Sequence, residues 1–152
     1  MTVKKDDLFN NLRSSLNICS ENVNVVDLSF RRFNQWSGGA EDINSYSKIA
    51  KKFGPVERDI FDALAGGMIS SRDILYVLRQ LIDLDNTLSE IGKIVYEKGD
   101  IKKIKGLLAK VNGSIDRAYK RLNGRPSVQR HLDRVRASIM QMRKAIFEYL
   151  KS

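Results

Sequence analysis

The sequence is poor in the residues that break helices, cross-link chains or hold metals. It has two prolines among 152 residues, which argues against a loop-rich or disordered chain. The single cysteine, Cys19, cannot form an internal disulfide. One thiol and one histidine, His131, provide no set of metal ligands at a useful spacing. We therefore expect neither a metal site nor another cofactor.

The sequence also lacks a long apolar run. None of its apolar runs approaches the roughly 18 residues that a membrane-spanning helix needs. The first residues include two lysines but not the apolar segment of a secretory signal. We expect a soluble, cytoplasmic protein without a membrane partner.

Signals of catalysis are missing as well. No glycine-rich phosphate loop follows a predicted strand. Asp83 and Asp85 are two residues apart on a predicted helix, so their carboxylates point to different sides and do not form an obvious acid–base pair. We expect a protein that is not an enzyme and has no small-molecule substrate.

Apolar residues recur every three or four positions in the C-terminal part of the chain, which predicts helices. Ser70 marks the start of the first helix and Gly99 its stop. Asp100 caps the second helix, and Pro126 suits the first turn of the third. We predict long helices at about residues 71–98, 100–123 and 126–150, and the short connections predict antiparallel neighbours.

The N-terminal part is predicted to form shorter helices. One contains Leu8 and Leu12, and others cover residues 27–36, 41–53 and 55–64. Val23 and Val25 alternate as in a strand, but five residues without a partner strand do not make a sheet. The whole chain is thus predicted as one all-α domain, with short helices in residues 1–69 and a long-helix bundle in residues 70–152.

The positive charge is concentrated at one end of the sequence. Residues 100–152 hold 14 lysines and arginines against four acids, whereas the first 99 residues hold 13 against 14. The net charge of +9 therefore comes from the C-terminal part. Such a split indicates one electropositive surface, which is typical of proteins that bind polyanions.

The second long helix carries the most orderly cations. On a helical wheel six of them fall within an arc of roughly 100°, away from the apolar face. Gly106 and Gly113 lie in the same arc, where each costs about 1 kcal/mol relative to alanine, so we expect close approach of a phosphate there. The third helix adds two arginines. The predicted nucleic-acid-binding residues are Lys102, Lys103, Gly106, Lys110, Gly113, Arg117, Lys120, Arg121, Arg130 and Arg134.

These residues predict sequence-nonspecific binding of nucleic acid, DNA or RNA, by a subunit of a nucleoprotein assembly. The alternative is a helical adaptor or regulator that binds another protein and whose basic face is only solvated. The wide apolar stripe of residues 74–95 favours that alternative if part of it stays exposed, and self-association would use the same surface.

Two further segments allow more than one interpretation. Residues 46–65 fit a helix-turn-helix, but also two packed helices with a glycine stop and a proline start. Residues 30–36 interleave aromatics with arginines, which fits base stacking by Trp36 or core packing of Phe30 and Phe33. The arginines lie largely opposite the aromatic rings, which favours packing.

Overall fold

The computed structural model describes residues 3–37, 50–122 and 124–151. Within these ranges the chain forms five α-helices and no strand, which confirms the all-α prediction. The helices are α1 (Lys5–Ser37), α2 (Pro55–Ala65), α3 (Ser71–Glu97), α4 (Ile101–Arg121) and α5 (Pro126–Lys151), with a short 3₁₀ turn at Ala50–Lys52 before α2.

The first helix, α1, is one continuous helix where the sequence predicted two short ones. No glycine or proline interrupts residues 3–37. Asp27 lies inside this helix and not at its start, and its carboxylate accepts a hydrogen bond from Arg31 one turn later at 2.9 Å. The prediction of short helices was wrong here because one apolar stripe spans the whole length and packs on the bundle. The buried residues of this stripe are Leu8, Phe9, Leu12, Leu16, Cys19, Val23, Val26, Phe30 and Phe33.

The remainder of the N-terminal part is described only from residue 50 onward. Most of the predicted helix at residues 41–53 lies outside the described residues, and its end forms the 3₁₀ turn. Pro55 begins α2, with Gly54 as its N-cap, and α2 ends before Gly66.

The ends of α3 and α4 follow from local capping. The Ser70 hydroxyl accepts a hydrogen bond from the Asp73 backbone N–H at 3.3 Å, and the Asp73 carboxylate accepts one from the Ser70 N–H at 2.8 Å. This reciprocal pair satisfies two donors at the start of α3. The left-handed residue that ends α3 is Lys98, with φ of 52°, rather than Gly99 as predicted. A Cβ on Gly99 would lie 3.2 Å from Ile94 Cγ2, so this glycine allows the turn to pack closely.

Four long helices form a bundle around one core. Helix α1 packs against α3 and α5, and α4 packs against the same two helices from the other side. Helix α2 packs against α1 and α5. Contacts also join the helix ends: Lys98 Nζ lies 2.8 Å from Asp6 Oδ1, and Arg121 pairs with Asp73. The core is filled by large apolar side chains such as Phe30, Leu81 and Ile104, which are fully buried.

None of the helices in the described ranges has an apolar stretch of the length that crossing a membrane requires.

Candidate nucleic-acid interface

Helix α4 holds the predicted basic residues on a regular scaffold. The Asp100 side chain caps it by accepting a hydrogen bond from the Lys102 N–H at 2.9 Å. Its inward face is buried, and the residues of that face are Ile104, Leu108, Val111, Ile115 and Ala118. Because these side chains fix how the helix is turned, its lysines point away from the core.

The four predicted lysines of α4 are exposed, and we call them the lysine row: Lys102, Lys103, Lys110 and Lys120. No ion pair or hydrogen bond of their side chains occurs within the part of the chain that the structure describes. Their ammonium groups are therefore available to an external anion. Lys105 is also exposed, but it lies about 60° outside the 100° arc and two residues from Lys103, so it points to another side of the helix.

We call the predicted binding residues of α4 the ridge. Its two arginines, Arg117 and Arg121, contact α3. Arg117 Nε donates to Gln80 Oε1 at 2.8 Å. Arg121 pairs with Asp73 in the first turn of α3, and its guanidinium lies 4.2 Å from the centroid of the Tyr76 ring. The Ser70 N–H, followed by the Arg121 guanidinium, holds the pKa of Asp73 below its usual value. These contacts hold α4 against α3 and leave the two guanidinium groups partly occupied.

The two glycines of the ridge have different surroundings. A Cβ added to Gly106 would meet no atom within 4 Å, so this position is open to solvent. A Cβ on Gly113 would lie 3.3 Å from Arg117 Nη1, because the arginine side chain folds back over this glycine. Close approach by a phosphate therefore remains available at Gly106 but is blocked by Arg117 at Gly113.

Lys110 lies at the α3 edge of the lysine row. It borders a cleft between α3 and α4 that also includes Asp83, Glu90 and Lys93. The two carboxylates reduce the positive potential on this side of the row. The strongest positive surface is therefore the outer side of α4, around Lys102, Gly106 and Lys120.

The two predicted arginines of α5, Arg130 and Arg134, do not extend the lysine row. Arg136 faces α4, with its Nη2 atom 3.2 Å from Asp116 Oδ1 and its guanidinium 4.6 Å from the Tyr119 ring centroid. Arg130 is six residues earlier and therefore about 120° away around the helix axis. It lines a cavity with Arg32 of α1. Arg130 and Arg136 thus lie on different sides of α5, and the predicted Arg130 does not border α4.

Arg134 also lies on the α1 side of α5. His131, three residues earlier and on a nearby part of the helix surface, contacts Asn22 of α1. The Arg134 side chain is exposed and its backbone carbonyl accepts a hydrogen bond from the Ser138 hydroxyl at 2.9 Å. Arg134 is thus available to an anion, but not to one bound along α4.

The other two candidate segments are only partly described. Phe30 and Phe33 are buried in the core, as the packing interpretation predicts. Residues 46–49 of the suggested helix-turn-helix lie outside the described residues, and residues 50–52 form a 3₁₀ turn rather than an α-helix. Asp59 of α2 accepts a hydrogen bond from the Ser127 N–H at 2.6 Å, so it anchors the start of α5.

Comparison of this chain with protein-family models, with curated proteins and with solved structures found no match.

Proposed function

We propose that the protein binds nucleic acid through backbone phosphates, without reading sequence and without catalysis, as a subunit of a nucleoprotein assembly. The observation that carries this proposal is the lysine row, whose four side chains are exposed and make no ion pair within the described residues. Lysines that neutralise phosphates release the counterions condensed on the nucleic acid, and this release drives binding.

The length of the lysine row fits an extended strand or one side of a duplex. Lys102 and Lys120 are 18 residues apart, or roughly 27 Å along the helix axis at 1.5 Å per residue. At 3.4 Å per nucleotide along one strand, this distance corresponds to about eight nucleotides. Gly106 lies between these lysines and lets the backbone of the ligand approach the helix closely.

We expect no recognition of the base sequence because of the residue types at this surface. Arginine, asparagine and glutamine read base edges through paired hydrogen bonds. The arginines of the ridge, Arg117 and Arg121, are engaged with α3, and the residues that remain are lysines, which act as point charges. We propose that they contact phosphates of either DNA or RNA.

We further propose that the long helices α3, α4 and α5 alternate in direction. The three-residue connection between α3 and α4 and the pairing of Arg121 with Asp73 support this arrangement. It would place Lys102 and Lys120 at opposite ends of the bundle, so that a bound strand follows its full length.

The test is a titration of labelled single-stranded RNA, single-stranded DNA and duplex at low salt. We expect the charge reversal Lys103→Glu with Lys120→Glu to weaken binding at least tenfold, which is about 1.4 kcal/mol. The matched control is Arg13→Glu with Lys144→Glu, which changes net charge equally on exposed positions of α1 and α5. Absence of binding by the unmodified protein, or equal losses in both double variants, would contradict the proposal.

A protein-binding adaptor is the second candidate, and the surface of α3 favours it. Leu75 and Ile82 are seven residues apart on one side of the helix, with relative exposures of 48% and 42%. Replacing both by glutamine would abolish a partner complex or self-association that uses this surface, without changing nucleic-acid affinity. Light scattering over a concentration series measures the self-association, and a monomer at every concentration would count against that form of the proposal.

A further inference from the structure

A cavity of about 460 Å³ opens between α1, α2 and α5, on the side of α5 that faces away from the lysine row. Its volume lies within the range of small-molecule sites, roughly 300–1,000 Å³. Three elements contribute polar side chains, among them Ser29, Arg32, Lys52, Ser127, Arg130 and His131.

The cations that line this cavity come from separate parts of the chain. Arg32 is on α1, Lys52 is in the 3₁₀ turn and Arg130 is on α5. Within the described ranges, none of these three side chains has an ion pair or a hydrogen bond. By contrast, the neighbouring Arg31 pairs with Asp27 at 2.9 Å. Convergence of three unpaired cations on one concave surface creates a positive potential that an anion would relieve.

One carboxylate also lines the cavity. Glu57 is only 5% exposed and occupies the first turn of α2, where the helix dipole favours a negative charge. Three basic side chains against this single carboxylate give a formal excess of two positive charges. The excess suits a ligand that carries a doubly charged group.

His131 adds a nitrogen whose role the neighbouring hydrogen bonds define. Asn22 Nδ2 donates to the Ile18 carbonyl at 2.8 Å, so Asn22 Oδ1 faces His131 Nδ1 at 3.0 Å and accepts a hydrogen bond from its N–H. The Nε2 atom of the neutral ring is then an acceptor, and in the protonated ring it becomes a further donor. This ring can therefore bind either a hydroxyl or an anionic oxygen of the ligand.

We infer that this cavity binds a phosphate monoester, with the phosphate held by Arg32, Lys52 and Arg130. A dianionic phosphate matches the excess of positive charge, and arginine guanidinium groups bind its oxygens in pairs. The cavity has room for the group that the phosphate is attached to. The inference goes beyond nucleic-acid binding along α4, because it involves other residues on another side of the bundle.

Calorimetry with adenosine 5′-monophosphate and with adenosine tests the inference. We expect the nucleotide to bind and the nucleoside to bind at least tenfold more weakly. A trinucleotide with a 5′-phosphate, compared with its 5′-hydroxyl form, tests whether the monoester is a strand end. A preference for the phosphorylated form in either pair supports the inference, and equal affinities in both pairs would overturn it.

Substitutions of residues that line the cavity test whether the phosphate binds there. Each lost charge-assisted hydrogen bond weakens binding roughly tenfold or more, so we expect this effect from Arg130→Gln and from Lys52→Gln. Lys52 is exposed and outside the α-helices, so its replacement leaves the bundle intact. Arg143→Gln is the control with equal charge loss. Phosphate-dependent binding that neither cavity variant weakens would overturn the inference.

The result is separable from the proposed function. Lysine-row variants should leave nucleotide affinity unchanged, and cavity variants should leave binding along α4 unchanged. Nucleic-acid binding along α4 with no preference for the phosphorylated form in either pair would overturn only the inference about the cavity.

Discussion

Arg121 of α4 pairs with Asp73 in the first turn of α3 while its guanidinium stacks over the ring of Tyr76. Asp73 also belongs to the capping box that begins α3. Arg121 thus links the end of α4 to the start of α3. Its neighbour in sequence, Lys120, is exposed and makes no such contact within the described residues.

This difference predicts opposite effects of two adjacent substitutions. Arg121→Gln should lower the free energy of unfolding by about 1 kcal/mol, because it removes a partly exposed ion pair and a cation–π contact. Lys120→Gln should leave stability unchanged but weaken nucleic-acid binding. Urea denaturation and a binding titration measure the two effects. If both variants lost stability equally, the assignment of Arg121 to the α3 contact would be wrong.

The glycines of α4 make a second prediction. Gly106→Ala should raise the free energy of unfolding by about 1 kcal/mol, because alanine favours the helix and the space is open. Gly113→Ala should raise the free energy of unfolding by less, because the added Cβ would displace the Arg117 side chain from Gln80. Thermal unfolding followed by circular dichroism distinguishes the two, and equal gains would contradict the observed position of Arg117.

A larger side chain at residue 106 tests close approach directly. Gly106→Gln should stabilise the helix, since glutamine is a better helix former than glycine, yet weaken nucleic-acid binding by obstructing the strand. Gly106→Ala is the matched control, with the smallest possible obstruction. Unchanged affinity in the glutamine variant would show that no strand approaches this glycine.

The environment of His131 predicts how stability depends on pH. Burial, and then the charges of Arg134 and Arg130, lower the pKa of His131 below the usual 6.5. The unfolded chain therefore binds a proton more readily than the folded protein as pH falls below 6.5. The stabilising contribution of the neutral ring is present above this pH and is lost as pH falls towards the lower folded pKa.

The measurement is urea denaturation between pH 7.5 and about pH 5, near the range where an ordinary histidine titrates. Other charges face the same cavity from α1, the 3₁₀ turn and α2, namely Arg32, Lys52 and Glu57. Because His131→Gln leaves these charges in place, the variant should lose stability less steeply across this range than the unmodified protein. Identical slopes would show that His131 does not titrate differently on unfolding.

Cys19 makes a prediction about reactivity. It is fully buried in the core, and burial raises the pKa of its thiol to about 12. A thiol reagent reacts with the thiolate, so modification of Cys19 should require local or global unfolding of the bundle. We expect the reaction rate to follow the unfolding equilibrium as urea is added. Rapid modification in native buffer would contradict the burial of this residue.

The helices that the sequence predicted well are those whose starts carry a capping residue or a proline. Ser70, Asp100 and Pro126 each lie at the start of a helix, and the apolar spacing between them is regular. The long helix α1 was missed because Asp27 resembled an N-cap, although the lack of glycine and proline across residues 3–37 was a visible signal. The capping preference of one residue was outweighed by an apolar stripe that stays buried from Leu8 to Phe33, over about seven turns.

The composition of the candidate interface was less predictable than the helices. A helical wheel shows which residues share a face, but not which neighbouring helix borders each side of it. Arg117 and Arg121 could be assigned to α3 only once the packing of α4 was known. For the same reason the wheel could not show that Arg130 faces α1 while Arg136 faces α4.

The most direct test of phosphate binding by the lysine row is the salt dependence of affinity for a single strand. Four phosphate contacts predict a slope of about −2.8 for the logarithm of the binding constant against the logarithm of salt concentration, at −0.7 for each contact. Lys102→Gln with Lys120→Gln should reduce the slope to about −1.4. The control pair Arg13→Gln with Lys144→Gln should leave it near −2.8. A slope near zero in the unmodified protein, or the same reduction in both pairs, would contradict the account.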